Sequence, residues 1–220
     1  MVSLSKRTLN YKGPNFYSRS NLNKSKYSRH EMSLWWFYME NKNGSDQGLV
    51  IVYTGNGKGK TTASLGVALR AVGHGLKVCI VQFIKGEWYY GELNSLKKLE
   101  PNLELVVAGK GFVGIIDDDH NFQEHVRAAK TALDIVEQKI SHDTFDIIIL
   151  DEINYAIHLG LLDLADVVRI IQNRPERLSL ILTGNHAREE IILLADLVTE
   201  MKEIKHPYKK GIKAKKGIDF

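Results

Sequence analysis

Gly48-Leu-Val-Ile-Val-Tyr-Thr-Gly-Asn-Gly-Lys-Gly-Lys-Thr-Thr-Ala-Ser-Leu-Gly-Val-Ala-Leu-Arg70 reads as three pieces in a row. The first, residues 49–53, is a short apolar run rich in β-branched side chains and bounded by glycine, the mark of a buried strand. The second, Thr54 to Thr61, packs three glycines and two lysines into eight residues. The third carries Ala63, Leu65, Val67, Ala68 and Leu69 among good helix formers, the mark of a helix.

Strand, glycine loop and helix together make a cradle for phosphate. Glycines let the backbone curl so that successive N–H groups converge on one anion, and the positive end of the helix dipole adds attraction. Gly55, Asn56, Gly57, Lys58, Gly59, Lys60, Thr61 and Thr62 are therefore the expected nucleotide contacts. Lys60 would lie along the phosphates and the Thr61 hydroxyl would ligate Mg²⁺. The P-loop pattern calls for glycine five residues before Gly59; that position is Thr54, and the glycine is displaced to Gly55. The competing reading is a glycine-rich turn that binds nothing, and Gly-Lys-Thr-Thr between a strand and a helix favours a triphosphate site over it.

The 220 residues suit one domain with an extension. A lone cysteine, Cys79, sits inside the apolar run Val78-Cys-Ile-Val81, where a buried structural thiol is expected and no intrachain disulfide can form. No apolar run reaches membrane-spanning length, and no secretory signal is evident, so no membrane contact and a reducing, cytoplasmic location are expected. The net charge of +4 is misleading: residues 1–30 hold seven of the 30 basic residues and none of the 26 acids, leaving 23 basic against 26 acidic. A slightly acidic domain argues against nucleic acid as its partner.

Residues 1–46 are rich in Ser, Asn, Lys and Tyr without periodicity, and are expected to be an extension, mostly disordered. Within it, Leu34-Trp-Trp-Phe-Tyr-Met39 is a dense aromatic knot that could cap the domain, meet a partner, or be untranslated sequence if the true start is Met32 or Met39; the basic stretch 1–30 also has the composition of a transit peptide. From residue 47 the chain alternates. Further strands are expected at 76–83, 103–108, 145–150, 178–183 and 197–201. A long helix follows Asp117-Asp-Asp119, with apolar residues at Phe122, Val126, Ala129, Leu133, Val136 and Ile140. Others are expected at 164–172 and 187–195. The fold class is α/β, P-loop NTPase-like: a mostly parallel sheet with helices on both faces and ligands at the carboxyl ends of the strands.

Other chemistry falls on that same edge. Ile147-Ile-Ile-Leu-Asp151-Glu152 is a buried strand ending in two carboxylates, where an acid would face Mg²⁺ beside Thr61. Spacing alone leaves Asp151 and Glu152 both open as that ligand. Gln82 and Lys85, in Val81-Gln-Phe-Ile-Lys-Gly86, and Thr183-Gly-Asn-His186 close other strands, where reaching a ligand or merely ending in a polar loop are both open. The eight histidines form no HxxxH or HxH pair, which argues against a metal site built from them. The lysine-rich end (Lys202 to Lys216) is either a solvated tail or a phosphate contact.

Taken in order, the phosphate loop, Arg70-Ala-Val-Gly-His-Gly75, Val81-Gln-Phe-Ile-Lys-Gly86 with Gly91-Glu92, Leu150-Asp-Glu152, Leu182-Thr-Gly184 and the end His206-Pro-Tyr-Lys-Lys-Gly-Ile-Lys-Ala-Lys-Lys-Gly-Ile-Asp-Phe220 resemble the P-loop class of cob(I)alamin adenosyltransferases over residues 48–220. The resemblance implies transfer of the 5′-deoxyadenosyl group of ATP to the cobalt of a reduced corrinoid, with release of triphosphate. It implies that Asn56 and Arg70 help seat the nucleotide, that Thr61 and Glu152 hold Mg²⁺, and that Phe112 covers the lower face of the corrinoid. It further implies an electron-donor protein and a homodimer. A second lower-face aromatic is expected two residues after Phe112, where this chain has Gly114; Trp88, Tyr89 or the Trp35-Trp36 pair are candidates to replace it. Asn185 stands where the resemblance implies an arginine, a contact that Arg188 could supply instead. Two other functions stay open on sequence: a P-loop ATPase or kinase in which Glu152 polarises the nucleophile, and a nucleotide-dependent module whose basic tails engage nucleic acid.

Overall fold

A computed structural model describes residues 47–86, 89–111, 113 and 121–219. They belong to the unit Asp46–Phe220. The aromatic knot at 34–39, Trp88, Phe112, Gly114 and the acidic run 117–119 lie outside the described residues.

Six strands run in parallel: β1 (Val50–Thr54), β2 (Val78–Gln82), β3 (Leu103–Val107), β4 (Ile147–Asp151), β5 (Ser179–Thr183) and β6 (Leu197–Glu200). Their order is β3-β2-β4-β5-β1-β6. Parallel strands need crossovers, and the helices supply them: α1 (Lys60–Gly73), α2 (Gly91–Lys97), α3 (Phe122–Ser141), α4 (Ile153–His158), α5 (Leu164–Asn173) and α6 (Glu189–Leu194). A 3₁₀ turn, Pro207–Lys210, follows β6.

Because side chains alternate along a strand, each central strand feeds two cores. Val50, Val52, Ile148, Leu150, Leu180 and Leu182 pack with Ala129, Leu133 and Val136 of α3, Ile153 and Ala156 of α4, and Val167 and Ile171 of α5. Their strand neighbours Val78, Ile80, Ile147, Ile149 and Ile181 face Ala68 and Ala71 of α1 and Leu96 of α2 on the other side. Burial on both faces explains why β4 reads as an unbroken apolar run rather than an alternation. Cys79 is fully buried in the first core; burial pushes its thiol up to about 12 and makes it a packing residue.

The long helix starts at a capping box, with Asn121 and Glu124 exchanging side-chain-to-backbone bonds. Its apolar stripe is buried from Ala129 to Val136, while Phe122 at the leading end is exposed. The edge strand β6 is exposed along its whole length. Two helices escape the sequence pattern, α2 and α4. At seven and six residues they are too short to show a helical period.

Candidate functional site

Four buried strands each end in a polar residue. Thr54, Gln82, Asp151 and Thr183 are 8%, 1%, 1% and 0% exposed. Register sets them side by side: Gln82 is the partner of Asp151 across β2 and β4, Leu150 is the partner of Leu182 across β4 and β5, and Tyr53 is the partner of Thr183 across β1 and β5. Buried polar groups are normally hydrogen-bonded; here Gln82 and Thr183 both donate to Asp151, while the Thr54 hydroxyl accepts from the Ala187 N–H.

Asp151 is the hub. Its Oδ1 accepts from the Thr61 hydroxyl at 2.9 Å and from the Thr183 hydroxyl at 2.8 Å. Its Oδ2 accepts from Gln82 Nε2 at 3.2 Å, with Lys85 Nζ at 3.8 Å. Thr183 in turn accepts from the Glu152 backbone N–H at 2.9 Å. That bond meets Glu152 in a left-handed conformation, φ 66°, where β4 breaks into α4. The strand between the phosphate-loop strand and the carboxylate strand thus supplies a hydroxyl that pins the end of β4.

Lys60 curls back over its own loop, donating to Gly55 O at 2.8 Å and Gly57 O at 2.9 Å. Burial lowers its pKa, opposed by Glu152 and Asp151. Glu152 shows the reverse. Burial first, then the Asp151 charge, push its carboxyl up to about 7, against the pull of Lys60 and Lys85. No described residue donates a hydrogen bond to that carboxylate. Lys85 completes the far wall, bonded to Glu92 Oε1 at 2.7 Å and set 4.6 Å over the Tyr90 ring. Desolvation raises the Tyr90 pKa.

Hard oxygen donors suit Mg²⁺, which is usually held by one or two carboxylates plus substrate phosphates. Thr61, Asp151 and Glu152 are such a set. Among the described residues no group of three or more His, Cys, Asp or Glu gathers into a closed cage.

The phosphate loop leans on the chain that leaves β6. Gly57 N–H donates to Met201 O at 2.6 Å. Asn56 Oδ1 accepts from Glu203 N–H at 2.9 Å. Lys58 is ion-paired with Asp219 near the C-terminus. Asn56 and Lys58 thus spend their side chains on the C-terminal strap, a contact invisible in sequence because 147 and 161 residues separate the partners. Of the other expected contacts, Gly55 and Gly59 take left-handed φ of 95° and 111°, and Thr62 is exposed on the first turn of α1. Arg70 is exposed on the last turn of α1, about 15 Å along the helix from Lys60, so the fold does not gather it into this crevice. Phe112 lies outside the described residues. Asn185, in place of the implied arginine, accepts from the His186 N–H at 2.9 Å, and Arg188 lies 3.9 Å from Glu190.

Comparison with known proteins gives the family. The family model described as ATP:corrinoid adenosyltransferase BtuR/CobO/CobP matches residues 46–220. The corrinoid adenosyltransferase of Escherichia coli (strain K12) is 40% identical over 176 residues, 80% of this chain and 87% of that protein. The corrinoid adenosyltransferase CobA of Salmonella typhimurium is 39% identical over the same shares. That of a Sinorhizobium species is 38% identical, covering 80% of this chain and 81% of its own. A solved structure, the KaiC-like protein PH0186 of Pyrococcus horikoshii OT3, superposes with a TM-score of 0.42 at 16% identity over 72% of this chain and 75% of that one, too loosely to bear on the site.

Proposed function

This chain belongs to the ATP:corrinoid adenosyltransferase family, and from that premise we propose how its own residues divide the work. The chain is a corrinoid adenosyltransferase, a transferase whose substrates are ATP and a corrinoid. The observation that carries the assignment is a family match running through every element of the crevice, from the phosphate loop to the C-terminal strap. The ATPase or kinase reading and the nucleic-acid reading gain nothing from it.

In the proposed reaction the electron pair of Co(I) forms a bond to C5′ of ATP. The C5′–O bond breaks and its electrons leave on the triphosphate. No proton has to move, so the site needs no general base; it needs charge on the leaving group and fixed geometry. Lys60 is the residue to supply that charge. Its two bonds to loop carbonyls hold it over the cradle until phosphate oxygens replace them. Thr61 and Glu152 are the proposed ligands of Mg²⁺, which when bound would neutralise part of the phosphate charge. Asp151, already accepting three hydrogen bonds, orients Thr61 and is the alternative ligand. The glycine loop donates N–H groups, and Thr62 lies at the helix end beside them.

Phe112 is proposed to cover the lower face of the corrinoid, where an apolar ring keeps water and an axial ligand off cobalt. Phe112→Ala should then slow a coupled assay from Co(II) more than one begun with reduced corrinoid. An electron-donor protein, a homodimer and a cytoplasmic setting complete the proposal. A reducing compartment is consistent with a sole, unpaired cysteine, and the apolar exposure of Leu197 and Val198 on the edge strand is consistent with a second copy. No helix among the described residues is long and apolar enough to cross a membrane.

The test is to incubate the full chain with ATP, Mg²⁺ and chemically reduced cobalamin, following the corrinoid spectrum and the released phosphate species together. Alkylated cobalamin and triphosphate in equal amounts are expected. Orthophosphate release independent of corrinoid would instead make the chain an ATPase.

A further inference from the structure

The strap that follows β6 has a firm root and a lightly held tip. At the root, Met201 N–H donates to Thr54 O at 2.8 Å and Gly57 N–H donates to Met201 O at 2.6 Å. Glu203 N–H donates to Asn56 Oδ1 at 2.9 Å. Residues 207–218 are then exposed without a break. Ile204, Tyr208, Ile212 and Ile218 are all exposed among them or beside them, so little apolar burial anchors the strap beyond its root.

The tip is a preshaped turn. Ile218 N–H and Asp219 N–H both donate to Lys215 O, at 3.0 and 2.8 Å. Lys215 N–H donates back to Asp219 Oδ2 at 2.7 Å, which leaves Oδ1 to receive Lys58 Nζ. Lys58, then the Lys215 N–H, hold the Asp219 carboxyl below the usual aspartate range. Lys58 has no second ion-pair partner among the described residues. A carboxylate of the protein itself therefore occupies a lysine of the phosphate loop, and this one pair is what fastens the tip to that loop.

We propose that the 215–219 turn is an autoinhibitory latch: Asp219 holds Lys58 in the ligand-free protein, and the polyphosphate of ATP takes Lys58 over and releases the tip. The proposal rests on the assigned use of ATP. A solvent-exposed ion pair is a weak tie, whereas a triphosphate brings several charges to the same lysine. The root stays in place, because its bonds run through backbone N–H groups next to the sheet. The competing reading is a fixed brace, in which Asp219 steadies the loop for its ligand. The two readings give opposite signs.

Equilibrium binding of ATP and of inorganic tripolyphosphate to the full chain, without corrinoid, tells them apart. Asp219→Asn keeps an acceptor for the Lys215 N–H and removes the charge. It should bind both ligands about threefold tighter. In a Lys58→Ala background the same substitution should change neither, since the two residues act as one pair. Weaker or unchanged binding in Asp219→Asn would make the tip a brace. Equal tightening with and without Lys58 would make Asp219 a general repulsive charge. Either result overturns the latch. The wild-type chain gives a check that needs no variant: tripolyphosphate should raise deuterium uptake at residues 215–219 and leave the Met201 and Glu203 amides protected. Uptake at 215–219 that stays level or falls contradicts release. Failure of the transferase assignment would appear separately, as wild-type protein that binds ATP yet leaves reduced cobalamin unalkylated.

Discussion

The Thr61 hydroxyl and the Asp151 carboxylate meet at 2.9 Å, and the oxygen that receives Thr61 also receives Thr183 at 2.8 Å. One carboxylate oxygen therefore fixes the first turn of α1 against the ends of β4 and β5. Thr183 is the member that no phosphate can replace. Thr183→Val should remove a donor to Asp151 and orphan the Glu152 N–H, destabilising the protein by about 1–3 kcal/mol and lowering turnover. Thr183→Ser keeps the hydroxyl and should recover most of both. Denaturant melts of the two variants give the answer, and equal stability of Val and Ser would show that the hydroxyl is not structural.

Lys60→Ala should abolish adenosyl transfer in practice, with a loss on the order of a hundredfold or more in rate. The charge that leaves C5′ ends on phosphate oxygens, and Lys60 is the flexible cation of the loop. Its present bonds to Gly55 and Gly57 carbonyls are weak competitors for a polyanion. Steady-state turnover with reduced cobalamin measures the effect. A variant that turns over at near wild-type rate would remove the loop from the mechanism.

Glu152 makes the ligand-free protein sensitive to pH. Its carboxyl is raised from an ordinary 4.5 to about 7 by burial and by Asp151. For a raised group, stability is complete below the ordinary value and is given up as pH rises through the folded one. Glu152→Gln should therefore stabilise the ligand-free protein at pH 8 by on the order of 2–3 kcal/mol and change it little at pH 5. Urea melts at the two pH values test the sign. A larger gain at the lower pH would contradict it.

The parallel sheet was legible because the central strands are buried on both faces and appear as apolar runs punctuated by glycine and polar ends. Thr54, Gln82, Asp151 and Thr183 each stand at the end of such a run, so the edge that carries chemistry could be read one strand at a time. Their meeting could not, because it depends on strand order: β5 lies between β1 and β4, and only that order lets Thr183 touch Asp151. The apolar stripe of α3 was legible for the same reason as the strands, yet its first member, Phe122, stands 47% exposed. Periodicity reports a face, not where the partner surface ends. The strap from Met201 to Asp219 was hidden more deeply. Its lysines read as either a solvated tail or a phosphate contact, while the contacts to the loop use a backbone carbonyl, a backbone N–H and one aspartate.

That strap leaves no room for a side chain at Gly57 of the phosphate loop. Its N–H donates to Met201 O at 2.6 Å, and a Cβ at residue 57 would lie 2.7 Å from that oxygen and 2.9 Å from the Lys202 carbonyl carbon. Both atoms are backbone, so neither can swing aside as a side chain would. Gly57→Ala must push the loop off the strap or the strap off the loop, and either shift spoils N–H groups that converge on phosphate. ATP binding should fall at least tenfold, while the sheet, which does not touch residue 57, keeps its cooperative melt. Gly66→Ala is the matched control six residues into the adjoining helix, since a Cβ there meets nothing within 4 Å. It should leave ATP binding alone and stabilise the protein by about 0.5–1 kcal/mol, the ordinary gain for alanine over glycine inside a helix. Isothermal titration with ATP and a thermal melt on both variants separate the two effects. Wild-type ATP affinity in Gly57→Ala would mean that the strap contact plays no part in shaping the cradle.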